Sequence, residues 1–143
     1  MLVSQILKTK GADVVAIERH RSIRDAAELM MTHRIGAVLV RDDRGICGIL
    51  SERDIARGVA AEGEAASGAA IETLMSRDVV TCAPTDKSEE LMTLMTDRRI
   101  RHLPVLAGGE LLGMISIGDI VKARLTELES HSEALQTYIA GSI

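Results

Sequence analysis

The stretch GILSERD at residues 48–54 decides the fold, because it recurs as GMISIGD at residues 113–119. Each copy holds a glycine, two apolar residues and a serine, with an aspartate three positions after the serine. The match extends outward in both directions at the same offset of 65 residues, without a gap. The chain therefore consists of two copies of one unit, since low complexity cannot produce matches of so many residue types. The identical pairs include Ile6/Ile71, Asp13/Asp78, Val14/Val79, Leu29/Leu94, Met30/Met95, Arg34/Arg99, Ile35/Ile100, Val40/Val105 and Asp54/Asp119.

Each copy predicts the element order β-α-β-β-α. Short apolar stretches at residues 14–17 and 79–82 predict first strands, and apolar residues at helical spacing predict the helix that follows. Ser22 and Thr85 are predicted to cap these helices. Methionines on the apolar faces, among them Met30 and Met31, are expected in the core.

A hairpin and a second helix complete each copy. Apolar runs at 37–40 and 46–50 flank DDRG, and runs at 103–106 and 111–115 flank AGGE, which is typical of β-hairpins. The second helices are predicted at residues 52–61 and from 118 onward.

The fold class is therefore α+β, with two β-α-β-β-α repeats and an extended C-terminal helix. We assign residues 1–61 to repeat 1, 62–70 to a linker, 71–125 to repeat 2 and 126–143 to the helical extension. An apolar stripe continues along the last helix, which is predicted to run for about 20 residues and to be capped near Gly141. The stripe favours a helix–helix contact with a second copy, although the helix folding back on its own domain is an alternative. Its residues are Val121, Leu125, Leu128, Leu135 and Ile139.

Composition excludes several classes of function. Hydrophobic residues make up 46% of the chain, so a packed core is expected. The net charge of −4 and the single aromatic residue, Tyr138, argue against nucleic-acid binding. Neither a membrane span nor a signal peptide is expected. Cys47 and Cys82 are interpreted as buried free thiols of a cytoplasmic protein, and no metal site is predicted.

The paired serine and aspartate support two interpretations. Ser51 and Ser116 are good helix caps, and Asp54 and Asp119 complete a turn that resembles a capping box. A carboxylate at a helix start can also accept both hydroxyls of a ribose, where the helix N-terminus favours a nearby phosphate. The duplication favours this second use alongside the first.

The hairpin followed by G-h-h-S-x-x-D, where h is an apolar residue, resembles the CBS domain, named after cystathionine β-synthase, over about residues 8–125. The run RHLPV at residues 101–105 is similar to the family's basic-His-Leu-Pro-Val strand. The resemblance implies a tandem pair, or Bateman module, packed about a pseudo-two-fold axis. It also implies two clefts between the repeats that bind AMP, ADP, ATP, a dinucleotide such as NAD(H), or S-adenosylmethionine. AMP is the ligand that we expect first.

The resemblance also implies roles for individual residues. Asp54 and Asp119 hold ribose hydroxyls, while Ser51 and Ser116 contact ribose or phosphate. One group of residues pads the adenine and a second group forms the opposite wall. The padding residues are Ile35, Ile100, Leu103 and Pro104, and the wall residues are Val15, Val80, Thr81 and Ala83.

The two copies are not equivalent in charge. Repeat 2 has Arg101 and His102 where repeat 1 has Gly36 and Ala37, and repeat 1 has Arg53 where repeat 2 has a glycine. Arg53, Arg101 and His102 are predicted to face the phosphate, so the repeat 2 site is expected to be the stronger. The alternatives are solvated surface cations for the arginines and a partly buried structural role for the histidine.

No motif of a catalytic site is found, so an enzyme is not expected. The preferred hypothesis is a regulatory module for signal transduction. It binds an adenine nucleotide, forms a homodimer and acts on a separate protein partner. The alternative is a structural adaptor dimer whose ligand site has lost its function. The intact serines and aspartates speak against that alternative, and the missing basic pair in repeat 1 speaks for it.

Overall fold

A computed structural model describes residues 1–141 of the chain. It contains five α-helices, five strands and two short 3₁₀ helices among these residues. In chain order the elements are α1 (Val3–Lys10), β1 (Ala16–Glu18), α2 (Ile23–His33), β2 (Ala37–Asp42), β3 (Gly45–Ser51), α3 (Glu52–Glu62), 3₁₀ helices at Gly63–Gly68 and Ile71–Thr73, α4 (Ser88–Arg98), β4 (His102–Ala107), β5 (Glu110–Ser116) and α5 (Ile117–Gly141). The mixed α and β composition and the extended C-terminal helix confirm the predicted fold class.

The contacts divide the chain into two compact units. Unit 1 consists of Met1–Asp13 and the chain from Val80 onward, and unit 2 is Val14–Val79. The opening segment of repeat 1 is residues 1–13, and that of repeat 2 is residues 71–79. Each opening segment therefore packs in one unit with the hairpin of the other repeat. The assignment of residues 1–61, 62–70, 71–125 and 126–143 to repeats, linker and extension stays a prediction about the sequence.

Unit 2 holds a three-stranded sheet in the order β1-β2-β3. Strand β1 runs parallel to β2, and β2 is antiparallel to β3. Ser22 caps α2 as predicted, because its side chain accepts the Asp25 N–H and Asp25 accepts the Ser22 N–H in return. Met31 is 80% exposed, so its predicted place in the core is wrong. The core of unit 2 consists of Ile17, Ile23, Ala26, Met30, Val38, Val40, Leu50, Ile71 and Met75.

The predicted linker is ordered. Residue 62 belongs to α3, and the next residues form the 3₁₀ helix Gly63–Gly68, in which Ala66 is buried. The Ala69 carbonyl accepts the Ile23 N–H, which ties this segment to the start of α2.

Unit 1 holds the two-stranded antiparallel sheet β4-β5. Gly108 and Gly109 both have positive φ, as a tight hairpin turn requires. The predicted strand at 79–82 is reduced to a single parallel bridge between Cys82 and Val105. A longer ladder is blocked because Pro84 and Pro104 have no N–H, whereas the equivalent Arg19 and Leu39 of unit 2 donate to the Arg41 and Val15 carbonyls. The core comprises Val3, Ile6, Leu7, Cys82, Leu91, Met95, Leu103, Val105, Ile115, Ile120 and Ala123.

The predicted cap at Thr85 is wrong. Helix α4 begins at Ser88, and the residue at the cap position is Lys87, whose side chain makes no capping hydrogen bond. The Ser88 N–H donates to the backbone oxygen of Met1. The segment before α1 therefore satisfies the first N–H of α4, as the Ala69 carbonyl satisfies the Ile23 N–H of α2.

Helix α5 extends from Ile117 through Gly141. Because Gly141 is the last described residue, the predicted cap there involves neighbours outside the described part of the chain. Five stripe residues are between 45% and 59% exposed, so α5 does not bury them against its own chain. These residues are Val121, Leu125, Leu128, Leu135 and Ile139.

Candidate functional site

The Ser–Asp pair of each repeat lies where the second hairpin strand passes into a helix. In unit 2 the Ser51 N–H donates to Oδ2 of Asp54 at 2.9 Å, and the Asp54 N–H donates to Oγ of Ser51 at 3.3 Å. In unit 1 the Ser116 N–H donates to Asp119 at 2.8 Å, and the Asp119 N–H donates to Ser116 at 3.2 Å. The capping interpretation is therefore confirmed. It also fixes each half-buried carboxylate beside the positive end of a helix dipole.

The loop before the hairpin is held against the same helix start. The Glu52 N–H donates to the Gly36 carbonyl at 3.0 Å, and the Ile117 N–H donates to the Arg101 carbonyl at 2.8 Å. Each unit therefore brings together three of its predicted residues. They are Gly36, Ser51 and Asp54 in unit 2, and Arg101, Ser116 and Asp119 in unit 1.

Ile35 and Ile100 enter this region from equivalent backbone geometry. Each follows an arginine with φ of 54°, Arg34 or Arg99, and each donates its N–H to a carbonyl of the preceding helix at 3.0 Å. Both isoleucines are half-buried, which leaves part of their apolar surface accessible.

The predicted site residues at the start of β2 and β4 differ in how far they are buried. Ala37 pairs with Ser51 and His102 pairs with Ser116 in the two ladders. His102 is half-buried, whereas Ala37 and Pro104 are buried and Leu103 is fully buried in the unit 1 core. The predicted contact of Leu103 and Pro104 with an adenine stays a prediction, since Leu103 has no exposed surface and Pro104 has little.

The predicted cations and wall residues lie at or near the surface. Arg53, in the first turn of α3, and Arg101 are both exposed, as either interpretation of these residues requires. Val15 and Val80 are half-buried, while Thr81 is exposed. Backbone groups of this wall are partly engaged. The Val15 carbonyl accepts the Leu39 N–H at 3.1 Å, and the half-buried Ala83 donates its N–H to Asp86 at 2.9 Å.

One residue of the unit 1 site was missed by the sequence analysis. Lys10, at the end of α1, donates from Nζ to Oδ2 of Asp119 and to the Met114 carbonyl, each at 2.6 Å. Burial alone raises the pKa of Asp119, but the hydrogen bonds from Lys10 and the Ser116 N–H outweigh it, so this pKa lies below its ordinary value. Asp119 is therefore a carboxylate at neutral pH.

Metal sites and membrane-spanning helices have requirements that the described residues do not meet. No group of three or more His, Cys, Asp or Glu side chains within residues 1–141 is placed to hold a metal ion. Of the helices in that range, none has the length and apolar character needed to cross a membrane.

Each of the two units has an N-capping serine and a carboxylate at a helix start, so the chain is a tandem of two related domains. The family model for the CBS domain matches residues 3–61 and again 71–126. The chain therefore belongs to the CBS-domain family, as the resemblance predicted.

Relatives and solved structures support this assignment over nearly the whole chain. The CBS domain-containing protein CBSX3, mitochondrial, of Arabidopsis thaliana is 31% identical over 97% of this chain and 72% of its own length. The CBS-domain containing protein ATU1752 from Agrobacterium tumefaciens is 43% identical, with a TM-score of 0.84 over 86% of this chain and 92% of that chain. The CBS domain pair of protein MJ0100, solved with 5′-methylthioadenosine and S-adenosyl-L-methionine, is 25% identical, with a TM-score of 0.75 over 86% of this chain and 98% of that chain.

Proposed function

We propose that the protein is a non-catalytic regulatory module that binds an adenine nucleotide, with AMP as the first candidate. The observation that carries the proposal is the duplicated helix start, where Ser51–Asp54 and Ser116–Asp119 hold a carboxylate in the same geometry. The complex of MJ0100 with two adenosine-derived ligands supports the ligand class.

The proposed contacts follow from the chemistry of each group. The carboxylates of Asp54 and Asp119 accept ribose hydroxyls, and the N-termini of α3 and α5 attract a phosphate. With Tyr138 as the single aromatic residue, aliphatic side chains such as Ile35 and Ile100 pack against the base.

Unit 1 is proposed as the stronger site. Arg101 lies beside the start of α5 through its carbonyl contact with Ile117, and its side chain is exposed to meet an anion. His102 follows it in β4. Unit 2 has Gly36 and Ala37 at these positions and supplies Arg53 from α3 instead.

Regulation is proposed to act in trans on a separate protein. A ligand that binds one arrangement of the chain more tightly than another shifts the population toward it, and the partner reads the surface that changes. Cys47 and Cys82 are free thiols, which supports the cytoplasm as the proposed location.

Thermal unfolding with an external dye tests the proposal, because the chain has no tryptophan. The panel is AMP, ADP, ATP, NAD⁺, NADH, S-adenosylmethionine and GMP. A ligand at about 100 times its dissociation constant stabilises the fold by about 2.7 kcal/mol, which raises the midpoint by roughly 5–10 °C.

The combined variant Asp54→Ala and Asp119→Ala is expected to lose this shift. Arg24→Ala, on an exposed i,i+4 ion pair of α2 remote in sequence from both motifs, is the control and should keep it. If no compound at millimolar concentration shifts the native protein, the nucleotide proposal is refuted.

The exposed stripe of α5 favours a second candidate function, a structural adaptor that dimerises through this helix. Its residues are spaced alternately by four and three positions, as the a and d positions of a heptad repeat are. Ser132 is the polar residue among these positions. The proposed occupant is a second copy in parallel. In that arrangement Arg124 precedes an a position and faces Glu129, which follows a d position of the partner helix.

Light scattering after size exclusion tests the dimer. Leu128→Glu should convert a particle of twice 15.4 kDa into one of 15.4 kDa, whereas Ser130→Glu, on the opposite face of α5, should not. A monomeric native protein would refute the dimer. A stable dimer whose melting midpoint no adenine compound raises would favour the adaptor, because a homodimer is expected of both functions.

A further inference from the structure

An ion pair from outside the repeated motif joins Lys10 to the proposed ligand carboxylate. The Lys10 ammonium lies 2.6 Å from Oδ2 of Asp119, and it also donates to the Met114 carbonyl. The side chains are 36% and 22% exposed, respectively, so the pair is partly shielded from water. Charge-assisted hydrogen bonds of this length are stronger than neutral ones. The ammonium therefore holds one oxygen of the carboxylate that is proposed to accept ribose hydroxyls.

The other repeat carries no equivalent ammonium at this position. The residue 65 positions after Lys10 is Met75, which is 8% exposed and packs against Gly48. A thioether neither pairs with a carboxylate nor attracts a phosphate. The same helix-start carboxylate is therefore set in two different electrostatic surroundings, and the difference comes from the opening segment of the opposite repeat.

A ligand hydroxyl that bonds to Oδ2 of Asp119 must compete with the ammonium for that oxygen. Ribose hydroxyls replace the ion pair with hydrogen bonds from uncharged donors and leave Lys10 with the Met114 carbonyl and water as its partners. A phosphate on the same ligand offers the displaced ammonium a new anion, and the flexible four-carbon stem of lysine allows it to move there. The exchange therefore favours a nucleotide over a nucleoside.

We propose that Lys10 is a specificity-determining residue that makes the unit 1 site select adenine ligands with a phosphate over those without one. The inference rests on the proposed function and narrows its ligand class. Lys10 acts as a counter-ion to Asp119 in the free protein and to the ligand phosphate in the complex.

Titrations followed by ¹H–¹⁵N NMR test this proposal, because the Ser116 and Asp119 amides report on unit 1 alone. The probes are AMP and adenosine, and the variants are Lys10→Met, which copies the residue found in the other repeat, and Lys8→Met. Lys8 is exposed on the same helix and carries the same charge. In Lys10→Met we expect weaker binding of AMP and tighter binding of adenosine. The affinity for AMP divided by the affinity for adenosine should therefore fall about tenfold. Lys8→Met should leave the ratio unchanged.

The possible failures are distinguishable. If Lys10→Met keeps the native ratio, weakens both ligands equally, or behaves like Lys8→Met, the specificity role of Lys10 is overturned while the nucleotide site stands. If neither ligand shifts the two amides in the native protein or in Lys10→Met, the proposed function fails in unit 1, and the inference fails with it.

Discussion

The glycine that opens each repeated motif is predicted to be a packing requirement, and the two copies should differ in how strictly they need it. A Cβ at Gly48 would lie 2.6 Å from Sδ of Met75 and 2.9 Å from the backbone oxygen of Ser76. A Cβ at Gly113 would lie 2.7 Å from Cδ2 of Leu7, with its next contacts at 3.4 Å and beyond. All of these neighbours belong to the opening segments of the repeats. The absence of a side chain at each glycine therefore lets an opening segment pack directly against the strand.

The difference lies in what can move. The Ser76 carbonyl accepts the Ile49 N–H at 3.0 Å, and the Ser76 N–H donates back to Ile49 at 2.9 Å, so the backbone beside Gly48 is fixed on both sides. Leu7 meets Gly113 only through the tip of its side chain, which can change rotamer.

These contacts set the expected magnitudes. Overpacking a core costs about 1–3 kcal/mol, and replacing glycine by alanine returns about 0.4–1 kcal/mol through the unfolded chain. Gly48→Ala is therefore expected to lose about 2 kcal/mol and Gly113→Ala at most about 1 kcal/mol. At roughly 2–4 °C per kcal/mol, the Gly48 variant should melt about 4–8 °C below the native protein.

Far-UV circular dichroism with thermal and urea unfolding measures both variants. Gly118→Ala is the control, since a Cβ there meets only Oγ of Ser116 at an ordinary 3.6 Å, and alanine in a helix should stabilise by up to about 1 kcal/mol. The reasoning is wrong if Gly48→Ala is as stable as the native chain, or if Gly113→Ala is the more damaging of the two.

Two further predictions concern ionisation. Burial first, and then the Asp86 charge, raise the pKa of Cys82 to about 12, so iodoacetamide at pH 8 should label Cys47 well before Cys82. Peptide mass mapping checks this, and equal labelling rates in the folded protein would contradict it. The lowered pKa of Asp119 means that its ion pair stabilises the fold above the unfolded value of 3.8 and is lost as the pH falls through the lower folded pKa. The difference in melting temperature between the native protein and Asp119→Asn should therefore shrink below about pH 4, and a constant difference down to pH 2 would refute the assignment.

The sequence predicted the elements that repeat, and it erred where one copy departs from the pattern. The offset that relates the two motifs also aligns Ser22 with Lys87, so the loss of a side-chain cap at α4 was visible in the alignment. The contact of the Met1 carbonyl with the first N–H of α4 was not visible, because it spans nearly ninety positions of the chain. Strand 79–82 failed because Pro84 and Pro104 lack the two N–H groups that Arg19 and Leu39 supply to the ladder of the other unit.

The candidate site shows the same division between local and distant information. Each Ser–Asp turn is local, because the residues that hydrogen-bond are three positions apart, and periodicity with capping rules suffices to place it. Lys10 reaches Asp119 across 109 positions, since the opening segment of one repeat packs in a unit with the other copy. Comparison of the repeats would have flagged Lys10 opposite Met75 as a change from charged to apolar. Lys10 is a site residue and not only a surface charge because the opening segment of repeat 1 packs with the hairpin of repeat 2. The alignment of the two repeats does not show this packing. In a duplicated fold of this kind, specificity can therefore arise in the segment that each copy lends to the other while both copies of the motif stay intact.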